Sequence, residues 1–420
     1  MKSVACNKLL LLAVIFILCS PSPSKAYSVL THEAIVDASW EKSIQPLLKN
    51  KYPAVTDSAL KVAHSYAYGG AIAPDMGYFP FGSRLFTNLV HYVRSGDFVM
   101  TLLDDAQDVN EYAFALGFMC HYMADRYGHF LGTNQCVPIV YPKMMKKFGH
   151  MVTYEEDKTS HKRMEFSFDV LQTAKGNYAS LAYHDFIGFN VARPLLERAF
   201  SKTYGLDINK VFGNLSLAIE TFRWSVKSLF PVFTKAAWAI KKSDILKTQP
   251  TATAKSFQYK MRRANYYQEF GKKHHGPGIF ANALSWLILV LPKVGPLKSL
   301  KIKAPGPIAE KLFIQSFDTV LVQYCAAVKI LDAGSVDLSN IDFDTGNNTV
   351  AGEYKLADAT YGNMVLKLNQ KEFNLMDTAL KQNVIEFYSH KKATTATRKE
   401  RKQWKKIIVA LDQLKVAPTL

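Results

Sequence analysis

The chain has 420 residues, 48% hydrophobic and 21% charged, enough apolar content to bury a substantial core and too much for a disordered chain. Its net charge of +17 suits an anionic partner such as a membrane surface, a phosphate ester or nucleic acid, although solubility alone also accounts for such a charge. Of five cysteines only Cys120, Cys136 and Cys325 lie beyond the first 26 residues, so at most one bridge can form and a disulfide framework is excluded.

Residues 1–26 carry Lys2 and Lys8, an apolar run Leu9–Cys19 and a small-x-small ending, Ser24-Lys25-Ala26. This pattern predicts a secretory signal peptide cleaved before Tyr27, with a secreted, periplasmic or cell-surface product. Cys19 leaves a lipoprotein as a minor alternative. Cleavage removes three lysines and no acids, leaving a mature chain of 394 residues at +14.

From Tyr27 onward, Thr31 is placed to cap a helix that carries His32 in its first turn and apolar residues at 35, 36 and 40. A second helix, near Asp57–Tyr68, runs into Gly69-Gly70-Ala-Ile-Ala-Pro74-Asp75-Met76-Gly77-Tyr-Phe-Pro80, which reads as a constrained loop with Asp75 at its centre. Phe86–Arg94 is expected to be a helix bearing His91.

The stretch Tyr112–His129 dominates the chain. Its first half is apolar on every side, the pattern of a helix buried in a core. Its second half places His121, Asp125 and His129 four residues apart, on one face. A buried carboxylate is costly unless paired or bound to metal. Two imidazoles flanking a carboxylate are zinc ligands by type, whereas a core histidine bonded to aspartate is the alternative. After an expected loop through Cys136, Pro138 and Pro142 comes His161-x-x-x-Glu165, a second one-turn pair, which on its own also reads as a solvated helix face.

Residues 166–242 keep a helical periodicity, with Trp224 and Trp238 in apolar surroundings and no strand-like alternation. Basic clusters at Lys260–Arg263 and Lys272–His275 precede an apolar run, Ile279–Leu291, too short to span a bilayer. A Pro- and Lys-rich loop, Pro292–Pro307, leads to a helix near Ala309–Leu331. Asn340–Thr349 is turn chemistry, and Arg398–Leu411 is a basic amphipathic helix, read as packed on one side with membrane-surface binding as the alternative. No Gly-rich phosphate loop, G-x-S-x-G or CxxC is present, which removes support for a nucleotide cofactor or a serine nucleophile.

In order, the ligand-type residues are His32, Asp75, His91, His121, Asp125, His129, His161 and Glu165. This series resembles the zinc-dependent phospholipase C family and, more loosely, glycosylphosphatidylinositol-specific phospholipase D and S1/P1-type nucleases. The segment from Asp342 to Asp358 also resembles the downstream half of bacterial secreted members. The resemblance implies an all-α domain holding three zinc ions. One would take the amino and carbonyl groups of Tyr27 with His32 and Asp125. A second would take Asp75, His91, His121 and Asp125, and the third His129, His161 and Glu165. Asp75, where not committed as a ligand, would orient or deprotonate the attacking water. Two departures stand out: His129 follows Asp125 after three residues, as in the phospholipase D relatives, and Met76 stands where choline-lipid enzymes place an aromatic residue.

The resulting expectation is a signal peptide at 1–26, a helical zinc phosphodiesterase domain at 27–250 and a helical C-terminal region at 251–420 that could touch membrane. The substrate implied is phospholipid at a membrane surface. Nucleic acid is the alternative substrate, and a non-catalytic helical lipid-binding protein is the alternative from another class.

Overall fold

The computed structural model describes residues 28–179, 181–229, 302–389 and 398–420, with residues 243 and 246. The expected signal peptide, Tyr27, Trp238, the basic clusters and the run Ile279–Leu291 lie outside the described residues, as does most of the expected Pro- and Lys-rich loop. Among the described residues the fold is all-α, as expected. It has no strand, and one isolated bridge pairs Ile341 with Asn348. No helix among them is long and apolar enough to cross a membrane.

In chain order the helices that build the site are α1 (Val29–Ser39), α2 (Gln45–Lys51), α3 (Asp57–Ile72), α4 (Arg84–Tyr92), α5 (Ser95–Asp105) and α6 (Val109–Gly128). They are followed by α7 (Asn134–Val140), α8 (Pro142–Phe148), α9 (Lys158–Lys175), α10 (Leu181–Ile187), α11 (Arg193–Tyr204), α12 (Ile208–Phe212) and α13 (Leu215–Trp224). Later in the chain, among the described residues, come α14 (Pro307–Ala333), α15 (Lys355–Asn369), α16 (Thr378–Ser389) and α17 (Arg398–Val416).

Helix α6 is the axis of the molecule. Asp108 caps it by accepting from the amides of Asn110 and Glu111, and residues 113–122 are wholly buried. Its main partner is α3, and glycine makes that contact possible. A Cβ on Gly70 would lie 1.9 Å from the Phe114 carbonyl oxygen, and one on Gly117 2.0 Å from that of Ala67. The two backbones therefore touch without intervening side chains. Gly69-Gly70 is thus helical, contrary to the loop expected there; the glycines serve close approach rather than a turn, and only Ala73–Tyr78 leaves α-geometry, as a 3₁₀ turn.

A second departure concerns residues 134–148, expected as loop but folded into α7 and α8. Pro138 removes the amide that would bond the Asn134 carbonyl. That carbonyl instead accepts from Val152, and Pro142 opens α8 where no amide partner is needed. Thr31 lies inside α1 rather than capping it, and Ser28 takes the cap position. Trp224 is exposed rather than enclosed.

Helices α14–α17 share the core of α1–α13. Tyr324 of α14 donates from its hydroxyl to the Leu116 carbonyl at 3.0 Å. The basic helix α17 buries Ile407, Ala410 and Leu414 and packs on α15, where a Cβ on Gly362 would lie 2.6 Å from Ile407. That stripe is therefore taken by protein, while Ile408 and Val409 beside it are exposed.

Candidate metal centre

Helix α6 carries His121 and Asp125 and continues as a π-helical turn, His129–Thr133, that begins with His129. The four-residue spacing stacks the three side chains, and all three are fully buried. Around them α1 brings His32, the 3₁₀ turn brings Asp75, α4 brings His91, and α9 brings His161 and Glu165. Every candidate read from the sequence except Tyr27 is thus among the described residues, and all eight converge. His161 and Glu165 are buried rather than on a solvated face.

Asp125 sits at the centre with its two oxygens divided. Oδ1 faces His32 Nε2 at 3.8 Å, while Oδ2 faces His121 Nε2 at 3.2 Å, His91 Nε2 at 3.6 Å and His129 Nε2 at 3.8 Å. His91 Nε2 also faces Asp75 Oδ1 at 3.5 Å. The ring of His32 stacks on that of His121 with centroids 4.2 Å apart. His161 Nδ1 meets Glu165 Oε1 at 2.6 Å, and the His129 and His161 rings stack at 5.0 Å.

Second partners fix which nitrogens face inward. His91 donates from Nδ1 to the Thr87 carbonyl at 2.7 Å, and His121 donates from Nδ1 to the Ala71 carbonyl at 2.8 Å. A carbonyl only accepts, so in a neutral ring the proton is on Nδ1 and the Nε2 lone pair points toward the carboxylates. His161 donates from Nε2 to Asn134 Oδ1 at 2.8 Å, turning Nδ1 toward Glu165. Lone pairs facing carboxylate oxygens repel unless a cation lies between them. Zinc binds nitrogen and oxygen at about 2.0–2.1 Å, so neighbouring ligands of one tetrahedral ion lie about 3.3–3.4 Å apart. These atom pairs, at 3.2–3.8 Å, run from that spacing to about 0.4 Å beyond it.

The ligand atoms fall into three groups, each drawn together within 4.8 Å: His32, His121 and Asp125; Asp75, His91 and His121; and His129, His161 and Glu165. The residues fit zinc by donor type, by spacing and by the second hydrogen bonds that orient their rings.

Asp75 is held by its turn, in which Thr87 Oγ1 donates to the Pro74 carbonyl at 2.7 Å and accepts from the Gly77 amide at 2.8 Å. It keeps 5% of its surface, where His32, His91, His121, Asp125, His129 and His161 keep none. Arg94 is committed elsewhere, bonding Asp97 and the Thr203 carbonyl.

Two carboxylates escaped the sequence reading. Asp169, on α9, accepts from the Leu30 and Thr31 amides at 3.0 Å and from the Thr31 hydroxyl at 2.7 Å, so it caps the helix that carries His32. Burial pushes Asp169 up to about 7, against the pull of the Thr31 and Ser28 side chains and the two amides. The spacing His161, Glu165, Asp169 repeats that of His121, Asp125, His129 and was the available signal. The other is Asp344, fully buried in the Ile341–Asn348 turn, with Oδ1 3.9 Å from His129 Nε2. Phe343 beside it lays its ring against His91 and His121, with centroids 4.8 and 5.8 Å away. Asp344 lies 179 positions after Glu165, inside the Asp342–Asp358 segment whose resemblance to bacterial secreted members marked the stretch but gave no residue in it a role.

Residues 31–214 match the family model described as zinc dependent phospholipase C. No curated protein and no solved structure gives a significant match. The matched span contains all eight candidates that converge here, together with Asp169, and ends before Asp344.

Proposed function

We propose, from the match of residues 31–214 to the zinc dependent phospholipase C model, that this chain is a phosphodiesterase of that kind, holds three zinc ions and releases a phosphorylated headgroup from phospholipid at a membrane surface. The observation that carries the reading is the division of Asp125, one oxygen toward His32 and the other toward His91, His121 and His129. A carboxylate so divided can bridge two ions about 3.5–4 Å apart, a separation suited to the attacking and leaving oxygens of a phosphate diester.

His32 and Asp125 would hold the first ion together with the amino and carbonyl groups of Tyr27. Asp75, His91, His121 and Asp125 would hold the second, and His129, His161 and Glu165 the third. When bound, zinc supplies hydroxide at neutral pH and neutralises charge on the phosphate oxygens. The protein's work is positional. Thr87 and Ala71 lock His91 and His121 in the tautomer that turns Nε2 inward, and Asn134 does the same for His161 Nδ1. Asp75, at the accessible edge, would orient the attacking water and accept its proton where it is not committed as a ligand. Met76 beside it is fully buried, and the site carries no aromatic residue there to favour choline.

Export completes this reading. The leader ending at Ala26 would be cut before Tyr27, giving a secreted, periplasmic or cell-surface enzyme with a free amino group five residues before His32 in the chain. The test is to assay purified protein on mixed phospholipid vesicles and on single-stranded DNA, with and without chelator, alongside elemental analysis. Chelator-sensitive phosphomonoester release from lipid, three zinc ions per chain and loss of two in Asp125→Asn are expected. Cleavage of DNA without hydrolysis of lipid would instead select a nuclease of S1/P1 character. Zinc without any hydrolysis would leave a metal-stabilised lipid-binding protein.

A further inference from the structure

We propose that Asp344 is an additional metal-holding residue of this site, its Oδ1 completing the ligand set assigned above to His129, His161 and Glu165; this rests on the zinc reading of those three residues. Asp344 is fully buried. One of its oxygens is committed: Oδ2 accepts from the Tyr92 hydroxyl at 2.8 Å and from the Tyr354 hydroxyl. The other, Oδ1, has no hydrogen-bond partner among the described residues and lies 3.9 Å from His129 Nε2. At that distance it is too far to accept a hydrogen bond from the ring. The distance is about 0.5 Å beyond the separation of neighbouring ligands on one tetrahedral zinc, a gap that a small inward shift of the carboxylate closes. Two imidazoles and one carboxylate leave a four-coordinate zinc one position short, and a buried carboxylate oxygen at the edge of the set can fill it.

The loop that carries Asp344 is fixed to the site at several points. Asn134, whose Oδ1 accepts from His161, donates from Nδ2 to the Asp344 carbonyl at 2.8 Å, so one amide side chain ties the third group of ligands to this loop. The Phe343 amide donates to the His91 carbonyl at 3.1 Å, and Ser95 both accepts from the Ile341 amide at 2.9 Å and donates to the Ile341 carbonyl at 2.7 Å. Gly346, at φ +74°, sits where a Cβ would be 2.4 Å from the Arg126 carbonyl oxygen, pressing the turn onto α6. The C-terminal region therefore delivers a carboxylate to a site whose other candidates all come from the first 165 residues.

The experiment is a chelator competition on wild type, Asp344→Asn and Tyr354→Phe, with zinc counted at each chelator concentration and the visible spectrum recorded after cobalt substitution. Asn keeps an oxygen for the tyrosines, while Phe removes one donor from Oδ2 and leaves Oδ1 in place. Asp344→Asn is expected to bind its third ion at least tenfold more weakly, with the other two retained, and to change the cobalt absorption of that site. Tyr354→Phe should keep all three ions. An unchanged third ion in Asp344→Asn, or equal loss in both variants, would show that Asp344 serves packing alone. Wild type that binds no zinc would sink the phosphodiesterase reading itself, an outcome distinct from the previous two.

Discussion

Substituting Gly70 by alanine tests whether the close α3–α6 contact builds the metal centre. The new Cβ would start 1.9 Å from the Phe114 carbonyl oxygen and 2.9 Å from its carbon, and ordinary contact begins at 3.4 Å. Backbone cannot swing aside as a side chain can. The helices would have to separate or slide by about 1.5 Å, and overpacking of this kind costs about 1–3 kcal/mol. His121 hangs on α6 while the carbonyl that fixes its ring, Ala71, belongs to α3, one residue beyond Gly70. Ligand distances in a metal site tolerate only about 0.2 Å, and a misplacement near 1 Å costs on the order of 100-fold in rate. Gly70→Ala should therefore lower the denaturation midpoint, weaken zinc binding and reduce activity by about 100-fold or more. Gly306→Ala, where nothing lies within 4 Å of the new Cβ, should leave activity unchanged. The assays are chemical denaturation, zinc content and lipid hydrolysis on the two variants. A Gly70→Ala protein with full zinc and full activity would refute the idea that this backbone contact sets the site.

Replacing Asp169 by alanine removes three bonds to the start of α1 and should cost about 1–3 kcal/mol, seen in denaturation. It should weaken the ion expected at His32 more than the one expected at His129, His161 and Glu165, seen by chelator competition. A pH prediction comes from the buried cluster on the far side of α1, where His184 lies 2.9 Å from Glu33 and 3.3 Å from Asp37, with His64 also on Asp37. Burial opposes the charge on His184, but the Glu33 carboxylate and the hydrogen bonds to Asp37 and Glu33 raise it from 6.5 to about 10. Asp37 is lowered because bonds from His184 and His64 outweigh burial. The His184 contribution is thus whole below pH 6.5 and lost as pH rises toward 10, while that of Asp37 is present above its ordinary 3.8 and lost below it. The melting temperature of wild type should exceed that of His184→Gln most between about pH 4 and 6.5 and converge with it near pH 10; a constant difference up to pH 10 would contradict the assignment. Lastly, protein beginning at Tyr27 should bind one more zinc and be far more active than protein with one extra residue before it. The reason is that an α-amino group can donate a lone pair to metal and a peptide nitrogen cannot. Equal zinc in the two, with both termini confirmed by mass, would reduce cleavage to plain export.

Local periodicity decided what the sequence could decide. A helix returns to the same face every four residues, so His121, Asp125 and His129, and likewise His161 and Glu165, were bound to stack once their segments were helical. The all-round apolar run before His121 likewise meant that the face would be dry. Tertiary structure decided everything that depends on which segments meet. Gly69-Gly70 has the composition of a turn, and only the approach of Phe114 and Asn190 to within 2 Å of their missing Cβ atoms explains why it is helical. Pro138 has the composition of a loop, and only the Val152 amide, which takes over the Asn134 carbonyl, allows a helix there. Asp344 lies in what the sequence shows as an ordinary Asp/Gly turn. Its place beside His129 results from contacts more than 200 residues apart in the chain, such as Asn134 to the Asp344 carbonyl, that no spacing encodes.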